Sequence, residues 1–253
     1  MVQDNDIDDS GGPRRIYSAP ALEKGFNVIE LLAESPHGLT ISEIASRLGL
    51  SISEIFRVIM VMERRAWLRK GPGDRFRVTH RVLDLAFRAT PAEELSVVAA
   101  PVMHELSQRI GQSCHLVVRN EDHGLVILRQ ESPGPTGLSV KVGSSLSLEK
   151  SSSGHVLLAF AAKATLVTAE TQLRLETVRA QGYEMMDSAR TLGVTDISYP
   201  VFGFDGHVAA ALTVPFLKLI DGTQTVDRDE ARDYLARAAA RISAGLGGPE
   251  AKA

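Results

Sequence analysis

Apolar positions in the first third of the chain recur at helical spacing. Leu22, Phe26, Ile29 and Ala33 predict a helix over residues 21–34 with those side chains inward. Ser35-Pro36 and Gly38 stop it, since the residue before a proline avoids the helical region. Thr40-Ile-Ser-Glu43 then reads as a capping box, in which hydroxyl and carboxylate each satisfy the other's backbone donor. Ile41, Ile44, Ala45 and Leu48 form one face of a short second helix, and Gly49 ends it in the left-handed conformation that helix ends favour. Ser51-Ile-Ser-Glu54 is a second box, followed by Ile52, Ile55, Phe56 and Ile59 as the expected buried stripe of a third helix. The period then drops to two around Gly71-Pro72-Gly73-Asp74, which predicts a β-hairpin. Three helices and a hairpin make a winged helix-turn-helix.

A helical piece over 79–87 carries Val82, Leu83 and Leu85, and Ala89-Thr90-Pro91 breaks it at a domain boundary. Val98, Val102, Leu106 and Ile110 mark a long helix over 94–110. Strand-like alternation follows. Residues 115–119 and 124–130 form a hairpin turning at 120–123, and 137–142 is a third strand. Residues 153–161 read as a short helix and 164–181 as one or two more. A second hairpin joins 194–201 to 207–214 through Phe204-Asp205-Gly206. Asp227 caps a final helix with Ala231, Leu235, Ala238 and Ile242 inward. The downstream layout is α+β with an antiparallel sheet.

Composition narrows the class. One cysteine, Cys114, excludes an intramolecular disulfide framework and fits a reducing compartment. No apolar run approaches a membrane span, and the acidic start MVQDNDIDDS has no secretory pattern, so the expectation is a disordered tail and a cytoplasmic protein. The net charge of −3 hides an asymmetry. Residues 13–90 hold 13 Lys and Arg against 8 Asp and Glu, whereas 91–253 hold 15 against 19. A basic unit joined to an acidic one suggests a polyanion binder attached to something else. Random scatter is the plainer reading of so modest an excess, and charge alone does not decide.

The third helix is the candidate recognition helix. With its apolar stripe inward, Ser53, Arg57, Met60 and Arg64 face outward, where a helix in a major groove meets base edges. Arg57 can donate two hydrogen bonds to a guanine, and Ser51 and Ser53 stand at the helix start. Arg69, Lys70, Arg75 and Arg77 on the wing are placed to hold phosphates. The alternative is a set of solvated arginines; the wing at the right distance favours double-stranded DNA. Glu54 repels phosphate unless it serves as the cap, although a glutamate can also accept from cytosine. Ser151-Ser152-Ser153-Gly154-His155 offers hydroxyls and a helix start to an anion or small molecule. A plain cap ranks second. A serine hydrolase using Ser153 and His155 ranks third, because there is no nucleophile elbow. Cys114-His115, with His104 and His123, matches no zinc spacing and would point to opposite strand faces, so no metal or cofactor is expected.

The chain resembles the IclR-type transcriptional regulators from about residue 19 to 244. The resemblance rests on the winged helix-turn-helix, on Val142-Gly143-Ser144-Ser145-Leu146-Ser147-Leu148 with Ser153-Gly154, and on Arg179-Ala180-Gln181-Gly182-Tyr183. Gly193-Val194, Tyr199-Pro200-Val201-Phe202, Asp205-Gly206 and the run Val208 to Val214 complete it in order. The resemblance implies a tail over 1–18, a DNA-binding domain over 19–78, a linker helix over 79–93, a GAF-like effector-binding and oligomerisation domain over 94–246, and a flexible tail over 247–253. It also implies a non-enzymatic regulator, dimeric or tetrameric, repressing or activating catabolic genes. Its pocket for a small organic metabolite would be lined by Ser151, Ser152, Ser153, Met186, Asp196, Thr213 and Pro215. Asp196 stands where the family often has cysteine, Met186 where it often has an acid, and the recognition helix opens Ser-Ile-Ser-Glu rather than Pro-Lys-Ser-Thr. The effector and operator are therefore expected to differ from common ones.

Overall fold

The computed structural model describes residues 18–89, 92–163, 165–220, 222 and 224–249. The expected tails, apart from Ser18 and residues 247–249, and the break at Thr90-Pro91 lie outside them. The chain divides between residues 90 and 91 into two compact units.

The first unit runs α1 (Pro20–Ala33), α2 (Ile41–Leu48), α3 (Ile52–Arg64), β1 (Leu68–Lys70), β2 (Phe76–Val78) and α4 (Arg81–Ala89). Both capping boxes form: Thr40 and Glu43 close on each other's backbone at the start of α2, Ser51 and Glu54 at the start of α3. Gly49 caps α2 with φ 66°. In the wing, Leu68 pairs with Val78 and Arg69 with Arg77, and Leu39 bridges to Phe76. Gly38 makes that bridge possible. It has φ +70°, and a Cβ there would lie 2.6 Å from the Phe76 carbonyl oxygen.

Two expected stripes are displaced. The buried side of α1 is Val28 and Leu32, with Leu22 and Phe26 more than half exposed. In α3 the buried residues are Ile55, Ile59 and Met62, while Ile52 and Phe56 are exposed. In α3, Ile55 and Phe56 sit about 100° apart, and only Ile55 faces the core. Leu22, Phe26 and Ile29 instead line an open apolar groove with Val58, Val61 and Trp67.

The second unit runs α5 (Ala92–Ile110), β3 (Cys114–Asn120), β4 (His123–Gln130), β5 (Ser145–Ser147), α6 (Ser152–Ala159), α7 (Ala169–Gln181), β6 (Glu184–Asp187), β7 (Val194–Phe202), β8 (Val208–Leu217) and α8 (Arg228–Gly245). The six strands lie in the order β5-β4-β3-β8-β7-β6, all antiparallel. Leu106, Ile110, Leu116, Ile197, Leu212, Leu235 and Ile242 build the core between one face and helices α5 and α8. Val117, Val126, Ala211, Val156, Leu157, Leu175 and Val178 build the core between the other face and helices α6 and α7. Asp227 caps α8 in a third capping box, and its predicted stripe of Ala231, Leu235, Ala238 and Ile242 is buried.

Three strand and helix expectations are corrected. Residues 137–142 form no strand; Gly143, at φ 84°, turns the chain so that it meets the edge of β4, and β5 takes that edge. Strand β6 was not expected, because Glu184-Met185-Met186-Asp187 has no clean alternation. Of the one or two helices expected over 164–181 there is one, α7, which starts only at Ala169 because Thr168 caps it.

Candidate functional site

On the outward side of α3, Ser53, Arg57 and Arg64 are exposed and Met60 is half-buried. The side chains of Arg57, Arg64 and Arg69 have no hydrogen bond or ion pair among the described residues. The remaining candidates are engaged. Ser51 caps the helix, donating to Glu54 at 2.7 Å and sitting 3.1 Å from the Ser53 hydroxyl. Glu54 accepts from the Ser51 backbone at 2.9 Å and from Lys24 at 3.1 Å. The Ser51 backbone N–H, the Ser51 hydroxyl and Lys24 hold the Glu54 carboxyl down at about 2. Lys70 pairs with Asp74 at 2.8 Å, and Arg77 donates to the His37 carbonyl at 3.3 Å. Arg75 does not stand among the open cations. Its Nη1 donates to Gly38 O and Glu43 Oε2, both at 2.9 Å, and its Nη2 to Glu43 Oε1 at 3.1 Å. That bidentate clasp ties β2 to the start of α2.

In the second unit, a cavity of about 420 Å³ opens against the sheet face that carries α6. Ser151, Ser152, Ser153, Asp196, Thr213 and Pro215 line it together. Met186 pairs with Asp196 on the same face but is not part of the lining. The α6 start is pressed onto the preceding chain: a Cβ on Gly154 would collide with the Leu148 backbone. Ser151 caps the helix, accepting from the Gly154 N–H at 3.1 Å and donating to Ser147 O at 2.6 Å. The Ser152 hydroxyl lies 2.8 Å from Ser198, which lies 2.7 Å from Thr213. Three hydroxyls thus form a chain from α6 across β7 to β8. Burial raises the Asp196 carboxyl above its ordinary value, against the opposing pull of Ser188 and Arg190.

Sequence reasoning missed His115 and the cations. His115 is directly paired with Thr213, is 4% exposed, and lines the cavity. Its Nδ1 has no partner among the described residues, and burial pushes its pKa down to about 4. Strand alternation held the signal: Cys114 goes to the α5 side, where its thiol meets Met103 O, which leaves His115 on the α6 side. Lys141, Lys150 and Arg190 also line the cavity.

His155 does not serve Ser153. Its Nδ1 lies 2.8 Å from Glu184 Oε2 and its Nε2 2.9 Å from Glu149 O. Both neighbours are acceptors, so both ring nitrogens donate and the ring is an imidazolium. Arg174 grips the same buried carboxylate through Nε at 2.7 Å and Nη2 at 2.6 Å. Burial works against the His155 charge, but the Glu184 and Glu149 hydrogen bonds overcome it and raise its pKa. Burial likewise opposes the Glu184 charge, and His155 and Arg174 override it, so that its pKa falls. This is a structural clamp behind α6. No group of three or more His, Cys, Asp or Glu side chains among the described residues could hold a metal ion, and no described helix is long and apolar enough to cross a membrane.

The model of the IclR helix-turn-helix domain matches residues 21–72, and that of the bacterial transcriptional regulator IclR C-terminal region matches residues 87–176. The chain belongs to the IclR family of helix-turn-helix transcriptional regulators. It is 28% identical over 238 residues to the regulator BhcR of Paracoccus denitrificans, covering 85% of this chain and 82% of that one. It is 26% identical over 265 residues to the repressor AllR of Salmonella typhimurium, with 93% of each chain covered. An IclR homolog of Microbacterium hydrocarbonoxydans, solved in complex with 4-hydroxybenzoate, shares the fold with a TM-score of 0.75 at 24% identity, over 89% of this chain and 98% of that one. The relatives are regulators, and nothing among them supports the serine hydrolase alternative.

Proposed function

We propose that this regulator binds a DNA operator through the outward side of α3 and the wing, and that a small organic effector in the 420 Å³ cavity alters that binding. On the DNA side, Arg69 and Arg77 are direct cross-strand neighbours in the wing. Like charges so placed repel each other, and a phosphate between them turns the cost into attraction. Arg57, opposite the buried stripe, reads a base edge, and Ser53 and Arg64 flank it. Arg75, held by Glu43, keeps the wing in place and does not contact phosphate. The protein acts as a homodimer or homotetramer in the cytoplasm and presents two wings to two half-sites.

The observation that carries the effector reading is the cavity. Ser151–Ser153 at the α6 start offer backbone N–H groups and hydroxyls to an acceptor on the ligand, while Asp196 on the opposite strand takes a donor. Met186 pairs with Asp196 but stands outside the lining, so it acts on the ligand only through its neighbour. The complex of the Microbacterium relative with 4-hydroxybenzoate is consistent with a ligand of this kind. The effector must favour one arrangement of the regulator over another, since equal affinity for both shifts nothing.

The test is operator binding by fluorescence anisotropy, with and without metabolites of the neighbouring operon, on wild type and Asp196→Ala. The variant is expected to bind DNA normally and to respond to effector at a concentration about five- to a hundredfold higher, the cost of one lost buried polar partner. An unchanged response removes Asp196 from the site.

A further inference from the structure

Among the described residues, His115 Nδ1 is the one buried side-chain nitrogen or oxygen without a partner, and the ring lines the cavity. Buried polar groups are nearly always paired, and an exception beside a cavity marks where a ligand atom belongs. The adjoining hydroxyls sharpen the demand. In the chain Ser152–Ser198–Thr213, two of the three hydroxyl protons fill the two links. The third proton stays at one end, so Thr213 presents either a donor or an acceptor beside His115, depending on which way the chain is polarised. A neutral imidazole has the same ambiguity, one nitrogen donating and the other accepting. A ligand hydroxyl, with one proton and two lone pairs, suits every combination of the two neighbours except a pair of acceptors. A carbonyl suits only two donors and an ammonium only two acceptors.

The rest of the lining sets the ligand's charge. Lys141, Lys150 and Arg190, the last also donating to Ser145 O at 2.7 Å, line the cavity together with a single carboxylate, Asp196. Three cations against one acid favour an anionic ligand, and the α6 start adds backbone donors for it.

We propose that His115 is a specificity-determining contact that reads a hydroxyl of the effector, and that the effector is a small hydroxylated carboxylic acid. Its hydroxyl lies between His115 and Thr213, and its carboxylate lies toward Ser151–Ser153 and the lysines. This assignment rests on the effector reading above and adds to it a residue and a ligand class.

The experiment is calorimetry on the full-length protein with paired probes: lactate and propionate, 3-hydroxybutyrate and butyrate, 4-hydroxybenzoate and benzoate. Four proteins are compared: wild type, His115→Leu, His115→Asn and Ser152→Trp. Far-ultraviolet circular dichroism and operator binding check that each is folded. For at least one pair, wild type is expected to prefer the hydroxy acid by roughly ten- to a hundredfold, the effect of one buried hydrogen bond. His115→Leu should erase that preference. His115→Asn, whose amide reaches about as far as Nδ1, should keep part of it and so separates hydrogen bonding from packing. Ser152→Trp, which fills the cavity, should bind neither member of the pair. A hydroxyl preference that survives in a folded His115→Leu overturns the role of His115 and leaves the effector cavity intact. Binding that survives in Ser152→Trp overturns the cavity itself. If His115→Leu does not fold, His115→Asn decides alone, and a preference in it smaller than the wild-type value supports the contact while an unchanged or stronger one counts against it. Absence of binding by every hydroxy acid to wild type overturns the ligand class.

Discussion

Two arginines of similar appearance have different fates. The Arg57 side chain has no partner among the described residues, whereas Arg75 closes a two-pronged bond on Glu43 and a third contact on Gly38. Arg57→Ala is therefore expected to cost about 1–3 kcal/mol per half-site and to relax preference at one base position, read by binding-site selection. Arg69→Ala should weaken all sequences alike and lower the salt slope by about one unit. Arg75→Ala should leave sequence preference alone and lower the melting temperature only slightly, because both partners are partly exposed and water screens the pair. A selection profile unchanged by Arg57→Ala would place base reading elsewhere. Titration separates two histidines in the other unit. His155 has a raised pKa, so its clamp on Glu184 is fully present below pH 6.5 and is lost as pH rises through the folded value. Glu184, with a lowered pKa, contributes above 4.5 and loses that contribution as pH falls. His115 acts the other way from His155: buried and neutral, with its pKa down from 6.5 to about 4, it weakens the fold as acid protonates the unfolded chain. That loss is on the order of 3 kcal/mol across the interval. Melting curves against pH should show His155→Gln flattening the alkaline decline and His115→Asn flattening the acid one. Parallel profiles for wild type and both variants would contradict the assignment.

At the scale of elements, legibility followed the range of the interactions. The capping boxes at Thr40, Ser51 and Asp227 span three residues each, so the sequence displays both partners. The stripe of α8 was readable because one sheet face covers it, whereas Ile52 and Phe56 lie at the margin of a stripe that only packing defines. The alternation over 137–142 imitated a strand, yet that stretch lies over the cavity, and the edge of β4 is met first by Gly143 and then by β5. Six effector candidates converge on the cavity: the sheet register sets Asp196 beside Pro215 and Thr213 beside Ser198, and the start of α6 brings Ser151–Ser153. The Arg75–Glu43 clasp and the orphaned His115 nitrogen were illegible, because each depends on chain far away in sequence. Gly154 shows the element scale most sharply. Its missing side chain lets α6 start against the Leu148 backbone and so sets where Ser151–Ser153 stand. Gly154→Ala should cost about 1–3 kcal/mol through overpacking, a drop of several degrees in Tm, and should weaken effector binding while sparing the affinity for DNA. An unchanged Tm would mean that α6 can shift without loss.

At the scale of the whole molecule, the family and the two compact units raise the question of why they share one chain. The first unit carries its own core of Val28, Leu32, Ile44, Ile55, Ile59, Leu68 and Phe76. The expectation is that it folds and touches DNA by itself, and that in the proposed oligomer the second unit supplies a partner at a fixed distance. A single wing and helix meet one half-site, and linking two such units converts the second contact into an intramolecular one with an effective concentration near millimolar. The segment 1–90 alone should thus bind a two-half-site operator far more weakly than the full chain, by on the order of a hundredfold or more. Sedimentation should show the full chain as a dimer or tetramer at micromolar concentration and the excised segment as smaller. Both should share one sequence preference, because Arg57 and the wing are the same in each. A full chain that is monomeric and still binds the paired half-sites tightly would remove the avidity argument. It would leave the second unit a role in sensing only.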